Sequence, residues 1–175
     1  MKKVLRTSKV MLLLLFIGIM TSGINCTNEK SGSDFNTALE RKIHEEVWSK
    51  GNLTIADEVF SKDIIRHSAD DPALQGLEDY KQYIQTWRNA FPDWTETVEE
   101  VVASGDLVAA RIILRATQTG PLPNMPNVQP TGKKIETHCA VFIRIGPEKK
   151  ITELWSYYDL TPFISAMKPD PPSNK

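Results

Sequence analysis

The run from Lys133 to Asp159 constrains this chain more than any other stretch. Ile135-Glu136-Thr137-His138-Cys139-Ala140-Val141-Phe142-Ile143-Arg144-Ile145 is long, β-branched and aromatic, and the polar turn Gly146-Pro147-Glu148-Lys149-Lys150 follows it. The chain then returns as Ile151-Thr152-Glu153-Leu154-Trp155-Ser156-Tyr157-Tyr158-Asp159. Two strand-like runs joined by a few turn residues predict an antiparallel hairpin. Period-two alternation also rules the stretch before it. Trp94, Glu96, Val98, Glu100 and Val102 share one face, opposite Thr95, Thr97, Glu99 and Val101. Ser104-Gly105-Asp106 turns the chain into a long strand from Leu107 to Thr117, with Arg111 and Arg115 on one face. The sequence thus predicts successive antiparallel strands needing a helical layer to bury one side.

The helices come first. Leu39, Ile43 and Val47 recur at i+4 with Trp48 beside them, while Glu40, Arg41, Lys42 and Glu45 take the other side. Ser33 or Asp34 can cap this helix before Phe35, and Gly51 can stop it in a left-handed conformation. His44 falls on the charged flank and reads as solvated. A second short helix is expected over Leu53 to Phe60, then a short strand from Asp63 to His67. Leu77, Tyr80, Ile84, Trp87 and Phe91 form the clearest helical stripe, ended by Pro92. Between the long strands, Gly120 to Pro130 carries four prolines with Leu122, Met125 and Val128, which reads as a stiff apolar lid or a packed surface loop.

The first 26 residues differ from the rest. Lys2, Lys3, Arg6 and Lys9 precede an apolar run from Val10 to Met20, too short for a bilayer span of roughly 20 residues. This is the anatomy of an export signal. Cys26 ends it, and residues 27–34 follow as a polar tether, a layout similar to a lipoprotein signal with Cys26 as the lipidated residue. Cleaved secretion and an uncleaved anchor are the alternatives, so the expected location is the cell envelope as a membrane-anchored lipoprotein, or else the periplasm or medium. Residues 35–167 form the domain and 168–175 a disordered tail. The 21 basic and 22 acidic residues leave no overall pull toward nucleic acid. Cys139, inside an apolar strand, reads as a buried free thiol. No metal-ligand spacing, phosphate loop or dinucleotide fingerprint appears.

Ala90-Phe91-Pro92-Asp93-Trp94, Val98-Glu99-Glu100-Val101-Val102 and Gly105-Asp106-Leu107-Val108-Ala109-Ala110-Arg111 resemble the SnoaL-like polyketide cyclases, or ester cyclases. So do Ala116-Thr117-Gln118-Thr119-Gly120, Pro130-Thr131-Gly132-Lys133 and Ile151-Thr152-Glu153-Leu154-Trp155. The resemblance covers roughly Leu39 to Phe163. It implies an α+β, cone-shaped, nuclear-transport-factor-2-like fold, with a strongly curved antiparallel sheet wrapped around N-terminal helices. It also implies cofactor-free, metal-free ring closure by one carboxylic acid/base in a hydrophobic pocket. The family's catalytic Asp, directly after the Trp of its Glu-x-Trp motif, is Ser156 here, and its Thr-His-x-Gly His is Gln118.

The remaining acid/base candidates are His138, Glu153 and Asp159. Their bland readings are a hydrogen-bonded strand His, a Glu153–Arg111 pair and a cap on a short helix starting near Thr161. His67, Trp87, Met125, Phe142, Trp155 and Ser156 are the expected pocket residues. The expected partners are a small hydrophobic ligand, a membrane through the lipid anchor, and a second copy of the chain. Two functions remain open: acid/base catalysis (cyclisation or isomerisation) on a hydrophobic carbonyl compound, or non-catalytic binding of an apolar ligand or partner protein.

Overall fold

A computed structural model describes residues 25–68, 72–122 and 129–168, with side chains from Gly32 onward. Residues 1–24 of the leader, Met125 and the tail beyond Lys168 lie outside the described residues, as does the side chain of Cys26. Among the described residues, no helix is long and apolar enough to cross a membrane.

Helix α1 (Asn25–Lys42) runs on into a π-helix (Ile43–Ser49), then α2 (Leu53–Val59). Helix α1 thus starts at Asn25 rather than after a cap at Ser33 or Asp34, and covers the whole of the expected tether. Gly51, at φ 70°, breaks the helical run, as its lack of a Cβ permits. Strands β1 (Phe60–Ser68) and β2 (Leu74–Gln75) precede helix α3 (Leu77–Ala90). Strands β3 (Thr95–Ser104), β4 (Leu107–Thr117), β5 (Lys134–Ile145) and β6 (Ile151–Tyr158) follow, and helix α4 (Thr161–Met167) ends the described fold.

The strands make one six-stranded sheet in the order β2-β1-β6-β5-β4-β3. It is mixed rather than wholly antiparallel, because β1 runs parallel to β6, with His67 beside Trp155 and Ser68 beside Ser156. The chain between β1 and β6 makes the long return that a parallel neighbour requires. The expected hairpin is present, with Val141 opposite Ser156 and Ile143 opposite Leu154.

One register detail differs from simple alternation. The β3–β4 ladder shifts between Val98 and Glu100. An extra residue in one strand reverses the facing of all that follow and bends the strand. Glu96 and Val98 therefore face in, while beyond the bulge Val101 and Ala103 take that role and Val102 is 68% exposed. The face expected to run unbroken from Trp94 to Val102 is cut in two.

The core lies between the helices and the inner sheet face. Ile43, Val47, Tyr80 and Ile84 meet Phe60, Ile64, Val108, Ile112, Ile143 and Ile151 there, all buried. Two polar devices fix the end of the π-helix, one to β3 and one to α3. Ser49 Oγ donates to the His44 carbonyl at 2.7 Å and accepts the Glu96 N–H at 2.8 Å. Arg88, from α3, donates to the carbonyls of Trp48 and Ser49, filling acceptors that a helix end leaves open.

Gly120 marks a close crossing of backbones. Its N–H and that of Thr119 both donate to the Ala90 carbonyl at 3.0 Å, and a Cβ there would sit 2.1 Å from the Asn89 carbonyl oxygen. Backbone cannot swing aside as a side chain does. Gly120→Ala is expected to lower unfolding stability by about 1–3 kcal/mol, measured by urea denaturation. Gly132→Ala, where no atom lies within 4 Å of the added Cβ but φ is 69°, bears only the left-handed backbone penalty and serves as its comparison.

Candidate active site

Aromatic residues recur on the π-helix, α3, the turn before β3, β6 and α4, and packing brings them together. Trp48 stacks on Trp94 at 5.1 Å between ring centroids and meets Tyr80 and Tyr83 edge-on. Trp87 touches Tyr83, Trp94 and Phe163, and Phe163 meets Tyr158. These rings, with Ile112, Leu114, Val141 and Leu154, line a cavity whose interior has about 60 Å³ of free volume. Its apolar walls, broken by a few convergent polar groups, are those of a small-molecule site.

The polar groups begin on the first helix. Asn36, Glu40, His44 and Trp48 follow at i+4, forming a buried stripe beside the apolar stripe of Leu39, Ile43 and Val47. Both stripes face inward because the sheet covers a broad arc of this helix. His44 is 3% exposed and Glu40 wholly buried, so the expectation of a solvated His44 is corrected. His44 Nδ1 lies 2.5 Å from Glu96 Oε2, and Nε2 lies 3.1 Å from Glu40 Oε1. Trp94 Nε1 donates to the other Glu96 oxygen at 2.9 Å. Burial by itself pushes the His44 imidazolium down, but the charges and hydrogen bonds of Glu96 and Glu40 outweigh it and raise its pKa to about 10. At neutral pH the cluster is an imidazolium held between two carboxyl groups. Glu96 and His44 line the cavity, and Glu40 stands behind them.

Other polar groups of the cavity come from the sheet and α3. Arg66 is 3% exposed; its guanidinium carbon lies 4.2 Å from the Tyr83 ring centroid, and Nη2 donates to Ser156 Oγ at 3.2 Å. Burial drives the Tyr80 hydroxyl up to about 12, so it stays protonated, and it accepts the Trp48 indole N–H at 3.3 Å. Cys139, a free thiol on the cavity wall, is likewise pushed up to about 12 by burial, then by the Glu96 charge, and is unreactive as a nucleophile. The indole N–H of Trp87, also in the wall, has no hydrogen-bond partner. Among the described residues, no group of three or more His, Cys, Asp and Glu is arranged to hold a metal.

Of the expected site residues that are described, the structure brings Trp87 and Ser156 to the cavity and leaves His67, His138, Phe142, Glu153, Trp155 and Asp159 elsewhere. On β5, Thr137, Cys139 and Val141 point inward, so His138 and Phe142 stand on the outer sheet face. On β6, Leu154, Ser156 and Tyr158 point inward, so Glu153 and Trp155 face out. His67 stacks on Trp155 at 5.2 Å on that outer face. Glu153 approaches Arg144 at 3.9 Å, and Arg111 pairs with Glu99 and Glu100, not with Glu153. Asp159 is exposed and accepts the Thr161 N–H at 2.8 Å at the start of α4, a capping contact that lowers its pKa. His138, Glu153 and Asp159 therefore do not form an acid/base set in the cavity. His138→Ala is expected to leave any activity of the cavity within twofold of the parent, whatever substrate is used to read it.

A family model described as "SnoaL-like polyketide cyclase" matches residues 38–166. Among solved structures, a protein from Jannaschia sp. CCS1 assigned as a SnoaL-like polyketide cyclase is 20% identical at a TM-score of 0.72, covering 79% of this chain and 95% of its own. AclR from Streptomyces galilaeus, assigned as a hydroxylase, is 27% identical at a TM-score of 0.65, with 75% and 94% covered. IdmH from Streptomyces antibioticus, assigned as a polyketide cyclase, is 26% identical at a TM-score of 0.63, with 75% and 97% covered. No curated protein gives a significant sequence match.

Proposed function

The chain belongs to the SnoaL-like polyketide cyclase family, and from that premise we propose that it carries out acid/base chemistry, a cyclisation or isomerisation, on a small hydrophobic carbonyl compound. The observation that carries this reading is the buried Glu96–His44 pair, 2.5 Å apart in the wall of an otherwise aromatic cavity. Paired ionisable groups sequestered from water are what proton transfer to and from carbon needs.

In this reading Glu96 removes a proton from the carbon next to the substrate carbonyl. The C–H bond breaks, an O–H bond forms on the carboxyl group, and the electron pair moves to the carbonyl oxygen as an enolate. Arg66, held by Ser156, supplies fixed positive charge on the same cavity wall to favour that oxyanion. For cyclisation, the enolate carbon attacks a second carbonyl of the same molecule and the proton returns to the new alkoxide. For isomerisation, it returns to a different carbon. The aromatic walls hold the substrate folded and keep water out. Similar proteins assigned as a cyclase and as a hydroxylase support a reading in which the side chains, not the fold, choose the reaction.

The test is deuterium uptake at the α-carbon of a panel of hydrophobic β-keto esters in D2O, followed by proton NMR. Exchange faster than in buffer supports catalysis. Tight binding without exchange would instead favour a non-catalytic carrier of apolar ligands, the reading that Ser156 at the family's acid position supports. The leader through Cys26 supports an exported, lipid-anchored form, and mass spectrometry of the mature N-terminus reads this directly.

A further inference from the structure

Glu40 takes no part in the chemistry above, yet it is the most deeply buried carboxylate of the cluster. Its side chain is 0% exposed, and Oε1 meets His44 Nε2 at 3.1 Å while Oε2 has no hydrogen-bond partner. A carboxylate in such a place is costly unless a cation compensates it. Here the imidazole ring is the group that does so. The same ring turns its other nitrogen to Glu96, which reaches the cavity. The i, i+4 spacing of Glu40 and His44 across the junction of α1 and the π-helix fixes this order: Glu40, then imidazole, then Glu96.

We infer that Glu40 is a positioning residue that fixes the charge and orientation of His44 from behind, and so the hydrogen bond that His44 presents to Glu96 at the cavity wall. With Glu40 in place, His44 keeps a proton on each nitrogen and presents Nδ1–H to Glu96. Without that anion, the ring has one carboxylate partner instead of two and gives up its second proton more readily. Glu96 then faces a neutral ring. The other ionisable groups turned toward the cluster are Tyr80 from α3, Arg66 from β1 and Cys139 from β5. Tyr80 and Cys139 keep their protons through neutral pH, so they form a constant background against which His44 titrates.

This inference rests on the proposed role of Glu96 but can be read without any substrate. The His44 ring nitrogens and the Glu96 carboxyl carbon are followed by NMR against pH in the parent protein and in Glu40→Gln and Glu40→Asp. In the parent, both His44 nitrogens carry protons at pH 8. In Glu40→Gln the His44 midpoint falls by about 1–3 pH units. Glu40→Asp, which keeps the charge, restores at least half of the shift. A merely structural Glu40 would leave the His44 midpoint in place in any folded variant, and that result overturns the inference. If Glu40→Gln does not fold, Glu40→Leu, which leaves no polar group behind, is read in its place with the same outcomes, and a singly protonated His44 in the parent at pH 8 also overturns it. Shifted midpoints with no α-proton exchange in the parent would uphold the role of Glu40 and reject the proposed catalysis, so the two failures are distinguishable.

Discussion

Glu96→Gln is expected to cut α-proton exchange by about 10²- to 10⁴-fold, the usual worth of a positioned acid/base group. The amide matches the carboxylate in shape and can still accept the Trp94 indole N–H through its oxygen, now 2.9 Å away on Glu96 Oε1. What it lacks is a basic oxygen. Its NH2 would point at His44 Nδ1, a donor facing a donor, until the ring gives up that proton. The loss should appear in kcat with KM little changed, because proton transfer is felt only in the transition state. Circular dichroism and an unchanged cavity-ligand affinity would confirm that the fold persists. Exchange within threefold of the parent would end the assignment of Glu96 as the base.

The second large effect is on stability. His44→Leu fills roughly the same space but leaves Glu40 and Glu96, at 0% and 8% side-chain exposure, facing each other with no cation between them. Breaking a buried ion pair by removing one partner typically costs about 3–5 kcal/mol. The parent protein should also show the pH dependence that the variant lacks. The folded pKa of His44 is raised from 6.5 to about 10, so folding takes up a proton between those values. Its stabilisation is complete below pH 6.5 and is lost as pH rises through about 10. The slope reaches at most about 1.4 kcal/mol per pH unit. Urea titrations at pH 6, 8 and 10 measure both effects. A parent protein whose midpoint stays flat over that range would show that His44 is neutral when folded.

Much of the fold could be read from the chain because alternation is strong in its second half. The strands β3 to β6 and helix α3 follow from residue type and period. What alternation does not supply is which face of a strand points inward. On β5 a signal was present: Ile135, Thr137, Cys139, Val141 and Ile143 form a more apolar set than Glu136, His138, Ala140, Phe142 and Arg144. His138 and Phe142 belong to the less apolar set, and that set faces out. Glu96 did fall on a face with Trp94 and Val98, and a lone acid among apolar neighbours is itself a cue that a partner is waiting. Its partner was hidden by a different habit. A helix with one apolar stripe suggests that its flank is wet, but a sheet that wraps a helix buries the flank as well. The residues Asn36, Glu40 and His44 could have been found by asking which polar stripe leads to Trp48.

The widened turn between Ile43 and Ser49 has its own implication for comparing this chain with others. A π turn holds one more residue than an α turn over nearly the same rise, so positions before and after it are out of step by about one. A relative whose first helix is regular throughout would superpose on this one only if a single-residue gap is opened inside that segment. Without the gap, its counterpart of Trp48 would be matched to the wrong neighbour, and the aromatic wall would look absent where it is merely displaced along the chain.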